Sequence, residues 1–273
     1  MQQAFESVKK LEQLGLTKLS TVLKGPCALN NPSVEVCTQE PEIKRIKEQL
    51  NIVGDFLTES MRITHCDTEA CVIEKTLPNY KAYIQKHFLP YGPIESGVWL
   101  SNFNIDDFLE QLERKYPYFK NLGFHMSNYL ETSAPYAITV TKVNISNMKD
   151  IQCFGCVFNT DTYQGSGRHW FAVFCDLRQN CVFEYFNSVP GSLPQYISKL
   201  FAIWSTTVPQ HMTISKRIVS SVDHQTDNSS CGIYSLIYIL SRVIGISANA
   251  FETNVLPSHH MQNIRSLMFT PKN

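Results

Sequence analysis

Cys231 stands six residues after Gln225, in Gln225-Thr-Asp-Asn-Ser-Ser-Cys231-Gly232-Ile-Tyr-Ser-Leu, and opens a long apolar run. A thiol that acts as a nucleophile needs a base for its proton, something to stabilise the thiolate, and donors aimed at the oxyanion its attack creates. Ile233, Leu236, Ile237 and Leu240 recur at helical spacing, so a helix starts at or just before Cys231. A thiol at a helix N-terminus faces the positive end of the macrodipole and unpaired backbone N–H groups, both of which lower its pKa. Gln225 is placed to fold back as an oxyanion donor beside the Cys231 amide. Taken alone, such a cysteine is more often a buried structural thiol, since free cysteine is among the most buried residue types.

A base lies upstream. In Gly167-Arg168-His169-Trp170-Phe-Ala-Val-Phe-Cys175-Asp, His169 sits at the mouth of an apolar, strand-like run. Cys181-Val-Phe-Glu-Tyr-Phe-Asn187-Ser188 reads as a second strand, and its Asn187 falls eighteen residues after His169. A turn at Asp176-Leu-Arg-Gln-Asn180 joins the two as a hairpin. Antiparallel pairing brings the start of one strand beside the end of the other, so His169 and Asn187 become neighbours. Asn187 then accepts from one ring nitrogen and leaves the other to face a thiol, in a Cys-His-Asn variant of the catalytic triad.

The order His-Trp, an amide about eighteen residues on, then Gln-x5-Cys-Gly opening a helix, resembles the SUMO/ubiquitin-like-protein proteases and the adenovirus maturation protease. The resemblance is closer still to the polyprotein-processing cysteine protease of African swine fever virus. It is carried by Cys66-Asp-Thr-Glu-Ala-Cys71-Val-Ile, Asn102-Phe-Asn-Ile-Asp106, Phe154-Gly-Cys-Val-Phe-Asn-Thr-Asp161, His169-Trp170 and Glu184-Tyr-Phe-Asn-Ser188, most of the chain between residues 66 and 240. The resemblance implies that Cys231 is the nucleophile, His169 the base, Asn187 the orienting residue and Gln225 the oxyanion donor. It implies that Trp170 walls a narrow substrate tunnel with Trp99 opposite, and that Asn159 lines the same cleft. A tunnel between two indoles admits glycine and little else, which selects Gly-Gly before the scissile bond. Asn187 departs from the aspartate of the commoner cellular pattern: it orients an imidazole but brings no charge to an imidazolium. The implied substrates are viral structural polyproteins with Gly-Gly-Xaa sites, cut in the host cytoplasm at viral factories and in the virion. The other readings are a deconjugase that removes SUMO or ubiquitin-like modifiers from host proteins, an acetyltransferase on the same scaffold, and a module that only binds such tails. A mere binder has no use for His169, Asn187, Gln225 and Cys231 together.

Composition agrees with an enzyme of balanced charge. The 273 residues carry 24 basic and 24 acidic side chains, so bulk nucleic-acid binding is not indicated, and the short cluster Lys44-Arg45-Ile-Lys47 reads as a solvated helix face. No apolar run reaches the length of a membrane span, and Met1-Gln-Gln-Ala-Phe-Glu holds no apolar signal core. Nine cysteines without framework spacing suggest a reducing compartment, where the sequons at Asn144 and Asn228 stay idle. No cofactor is called for. Zinc needs four ligands in paired spacing, and Cys153-Phe-Gly-Cys156 lies in a strand-like run where alternation turns the two sulfurs to opposite faces. His259-His260 reads as a solvated pair.

The chain divides near residue 90 into an N-terminal helical arm domain, 1–90, and a catalytic core, 91–273. Residues 1–25 and 42–62 are helical by pattern, with Ile43, Ile46, Leu50, Val53 and Leu57 at helical spacing, and Pro78 starts another helix to Phe88. The core is expected as a helix at 104–115, strands at 136–143, 151–158, 169–176 and 180–186, a helix at 193–206, a strand at 212–219 and the Cys231 helix. That order is an α+β fold, a mixed sheet with the cysteine helix packed on it.

Overall fold

The central strands follow from unbroken runs of Phe, Val, Tyr and Trp, side chains that pack well on a pleated surface. In the computed structural model, which describes residues 2–24, 55–66, 69–76, 79, 89–131 and 139–271, the strands are β1 (Phe119–Met126), β2 (Cys153–Asn159), β3 (Trp170–Asp176), β4 (Cys181–Phe186) and β5 (Ile214–Val219). They lie in that order in one sheet. β2, β3 and β4 pair antiparallel, while β1 runs parallel to β2 and β5 parallel to β4. This is the mixed sheet the sequence implies.

The helices are α1 (Gln2–Gln13), α2 (Leu19–Lys24), α3 (Asp55–Thr64), α4 (Glu69–Thr76), α5 (Asn102–Lys115), α6 (Gln195–Ser205), α7 (Cys231–Val243), α8 (Asn249–Thr253) and α9 (Ser258–Met268). Strands this apolar are buried on both faces. Val157, Ala172, Phe174 and Phe186 face one core together with α5, α7 and α9, whereas Phe154, Phe158, Phe171, Val173 and Phe183 face the other with Ile197, Leu200 and Trp204 of α6. α7 is buried along its whole length because it lies between the sheet and α9.

A buried ion pair locks α7 onto the sheet. Arg242 donates from Nε and Nη2 to the two carboxylate oxygens of Glu184 on β4, at 2.8 and 2.9 Å, and from Nη2 to Asp176 at 2.9 Å. Tyr238 donates its hydroxyl to Glu184 at 2.8 Å. Such a fork fixes both the axial position and the rotation of a helix. It anchors the C-terminal end of α7 and leaves Cys231 at the other end.

α1 packs on α9 through Ala4, Val8 and Leu11, one stripe of a helix, and with α2 shares the core that contains Cys231. α3 and α4 carry a small cluster of their own around Cys66 and Val72. Cys66 and Cys71 are joined by a disulfide. Cys153 and Cys156 point into the two opposite cores, as strand alternation requires.

Three differences from the expected elements have local causes. β1 was not expected, because Asn121 and Gly123 interrupt its alternation. The register slips there, Gly123 takes φ +80°, and its amide donates to Asn121 Oδ1 while the Phe124 amide donates to Asp106. The strand expected at 136–143 is a helical turn and loop over its described part, 139–143, despite the β-branched residues there. Val140 instead turns its carbonyl to the Trp204 indole N–H at 2.9 Å, a group that a ladder would have occupied. α5 starts at Asn102, two residues early, because Ser101 and Asn104 form a reciprocal capping box. Residues 42–54 of the second expected helix, and the helix expected over 78–88 but for Asn79, lie outside the described residues.

Candidate active site

β3 and β4 bring His169 and Asn187 together. Their register pairs Ala172 with Phe186, which sets residue 169, just before β3, a diagonal step from residue 187, just after β4. His169 Nε2 lies 2.7 Å from Asn187 Oδ1. The amide orientation is fixed by its other partners, since Nδ2 donates to the Tyr185 hydroxyl at 3.3 Å and Oδ1 accepts the Val189 N–H at 3.3 Å. An acceptor facing the ring assigns the proton to Nε2 and leaves Nδ1 as the basic nitrogen. Burial holds the His169 pKa below the ordinary imidazole value, opposed by the Asn187 bond, so the ring is neutral near pH 7.

Asn159 holds the loop that ends at His169. It sits at the end of β2 opposite Trp170, is fully buried, and accepts the amides of Asp161 and Arg168 at 2.9 and 3.0 Å. Asp161 accepts the Gly167 amide at 3.0 Å, and the Thr160 amide donates to the His169 carbonyl at 2.9 Å. Gly167 has φ +90°, which a side chain would strain.

Cys231 is the first residue of α7 and is 2% exposed. The turn before it is tied by Asp227, whose Oδ1 accepts the Ser229 and Ser230 amides at 2.9 and 2.8 Å while Oδ2 accepts the Ser230 hydroxyl at 2.6 Å. The backbone N–H groups of Trp170, Gly232 and Cys231 favour the thiolate. Burial nevertheless dominates and pushes the thiol pKa up, against those amides. The sequence expectation of a lowered pKa is thereby corrected, because the helix N-terminus is present but enclosed. Burial thus disfavours the charged form of both groups.

Gln225 joins the same framework. Its amide donates to the Ser188 carbonyl at 3.1 Å, its Oε1 accepts the Ser188 hydroxyl at 2.7 Å, and its Nε2 donates to the Asp227 carbonyl at 2.9 Å. The residue after Asn187 thus fixes the carboxamide. Trp170 is 5% exposed, edge-on to Phe124, with its indole N–H donating to the Leu100 carbonyl at 3.1 Å. Leu100 also packs on the first turn of α7, where a side chain on Gly232 would meet it at 3.1 Å. Trp99, next to Leu100, is 44% exposed, and Val98 and Phe103 are exposed too. Of the two tryptophans, Trp99 is the one that presents surface. Among the described residues no group of three or more His, Cys, Asp and Glu side chains is arranged to hold a metal.

Sequence reasoning missed Ser188, Asp227, Leu100 and two residues of α9, Gln262 and Arg265. Asp227 ahead of a helix is a readable capping signal. Gln262 and Arg265 reach the turn from more than thirty residues away and leave no local signature.

The sequence over residues 102–273 matches the Ulp1 protease family, C-terminal catalytic domain. A SUMO-1 cysteine protease of African swine fever virus (isolate Pig/Kenya/KEN-50/1950) is 32% identical over 255 residues, covering 83% of this chain and 89% of the relative. A putative thiol protease of Acanthamoeba polyphaga mimivirus is 27% identical over 187 residues, covering 67% of this chain and 60% of the relative. The crystal structure of the African swine fever virus protease superposes with a TM-score of 0.73 at 25% identity, covering 91% of this chain and 98% of that one.

Proposed function

The chain belongs to the Ulp1 protease family and is a cysteine protease, and from that premise we propose that it is an endopeptidase cleaving viral structural polyproteins after Gly-Gly during particle maturation, in the host cytoplasm and the virion. The observation that carries the site is His169 held by Asn187, with the adjoining Trp170 buried in the same core cluster as Cys231.

His169 Nδ1 takes the thiol proton as the Cys231 sulfur attacks the carbonyl carbon of the glycine before the scissile bond. The carbonyl oxygen becomes an oxyanion, held by the Cys231 amide and by Gln225. The C–N bond then breaks, the imidazolium gives its proton to the leaving amine, and a thioester remains on Cys231. Water attacks that thioester with His169 again accepting a proton, the acid leaves, and the thiol is restored. Asn187 keeps the proton on Nε2 throughout, so Nδ1 always faces the sulfur. A pair whose charged forms are disfavoured suits an asparagine, which has no charge with which to hold an imidazolium.

The African swine fever virus relatives named SUMO-1 cysteine protease favour a second reading, a deconjugase acting on modifiers that also end in Gly-Gly. Incubation with a Gly-Gly-Xaa peptide, a SUMO fusion and acetyl-CoA separates these. Peptide cleavage with little action on the fusion supports the endopeptidase. Preferred cleavage of the fusion supports the deconjugase, and acetyl transfer without hydrolysis overturns both.

A further inference from the structure

The turn that precedes Cys231 is not held by the sheet. Besides the Gln225 Nε2 bond to the Asp227 carbonyl, it is held from one face of α9 by two side chains three residues apart. Gln262 Nε2 donates toward Asp227 Oδ2 at 2.9 Å and lies 2.8 and 2.6 Å from the hydroxyls of Ser229 and Ser230. Arg265 Nη2 donates to the Ser229 carbonyl at 3.0 Å.

Arg265 is an unusual choice for a purely structural bond. Its side chain is fully buried, and its Nε and Nη1 have no hydrogen-bond partner among the described residues. Enclosing a guanidinium with so little satisfaction is expensive, and an apolar residue of similar volume would serve packing better. Burial holds its pKa below the ordinary arginine value, opposed by Asp227, Cys231 and Glu95. Ser229 is two residues before Cys231, so the peptide planes from 229 to 231 set where the Cys231 amide points.

We propose that Gln262 and Arg265 are positioning residues, a clamp from α9 that sets the 227–230 turn so that the Cys231 amide aims at the oxyanion. The clamp rests on Cys231 being the nucleophile. It acts through the turn and touches neither substrate nor the reacting atoms. A shift of about 1 Å in such a donor lowers turnover on the order of a hundredfold. It leaves the thiol and its base in place.

The test compares wild type with Gln262→Ala, Arg265→Lys and Cys231→Ser in the full chain. The readouts are kcat and KM on a Gly-Gly-Xaa peptide, the rate of Cys231 alkylation by iodoacetamide, and thermal unfolding. Alkylation forms no oxyanion, so it reports the thiol without the amide. Gln262→Ala and Arg265→Lys should lower kcat by about ten- to a hundredfold, with KM and the alkylation rate within about twofold of wild type. Gln262 is only half-buried, so truncating it keeps the test alive should Arg265→Lys unfold. Wild-type kcat in Gln262→Ala, or an alkylation rate that falls in step with kcat, overturns the clamp. Turnover retained in Cys231→Ser sinks the nucleophile reading itself, whereas a dead Cys231→Ser beside a fully active Gln262→Ala sinks the clamp alone.

Discussion

His169 and Asn187 stand at the ends of paired strands, with registers from Asn159↔Trp170 to Ala172↔Phe186 holding the backbone on both sides. Cys231 and Gln225 flank a turn whose shape rests on Asp227, Ser188 and the side chains of Gln262 and Arg265. The base side rests on a main-chain ladder supplemented by the Asn159 and Asp161 side chains, and the nucleophile side chiefly on side chains. A ladder resists substitution because each bond is one of many, whereas a side-chain clamp is open to single changes. The comparison predicts that mutations on the two sides fail differently: on the base side the reacting residues outweigh their supports, and on the nucleophile side the supports weigh more heavily.

The largest expected effect lies with the base and its orienting partner. His169→Ala should lower kcat/KM by about 10³–10⁴-fold, and Asn187→Ala by about ten- to a thousandfold, since it loses orientation and keeps the base. Asn187→Asp sharpens the point through pH. In wild type the depressed His169 pKa places the acidic limb of kcat/KM below the ordinary imidazole value. A carboxylate at 187 stabilises the imidazolium and raises that pKa, so the limb should move to higher pH by about one unit or more, with activity largely kept at pH 8. An acidic limb that does not move would mean that the pair rests as thiolate and imidazolium.

Next in size is the anchor of α7. Arg242→Met leaves Glu184 buried without its cation and should destabilise the fold by about 3–5 kcal/mol, read by urea unfolding. Residual folded enzyme should keep a near-normal KM, because the pair lies at the far end of the helix from Cys231. A variant as stable as wild type would show that the pair does not hold the helix.

How much of this was legible follows the same division. The hairpin could be read because strand periodicity, a turn and the His169-to-Asn187 spacing are local, and the Cys231 helix because its apolar stripe is local. The mixed sheet followed from those strands, although β1 hid behind Asn121 and Gly123. Gln225 was picked out by type, but what fixes its carboxamide, Ser188, is 37 residues away. α9 was not foreseen at all, since Ser258-His-His-Met-Gln-Asn mixes polar and apolar residues without an evident stripe. The lowered thiol pKa was misjudged for a related reason: a helix N-terminus shows in sequence, but its enclosure by Leu100 and Trp170 does not.

The smallest effect concerns glycine selection. Trp170 is enclosed and bonded to Leu100 whereas Trp99 is exposed, so the test is made at Trp99. Trp99→Ala should narrow the ratio of kcat/KM between Gly-Gly-Xaa and Gly-Ala-Xaa peptides by about tenfold, the discrimination one methyl group provides. An unchanged ratio would return that role to Trp170 or to another residue.

The most direct measurement is to treat the enzyme with a Gly-Gly peptide carrying a C-terminal vinyl sulfone and to locate the adduct by mass spectrometry. A single adduct on Cys231, formed with loss of activity and greatly slowed by His169→Ala, is the predicted result. Stoichiometric inactivation with the adduct on any other cysteine, or an adduct rate indifferent to His169, would contradict the assignment of nucleophile and base.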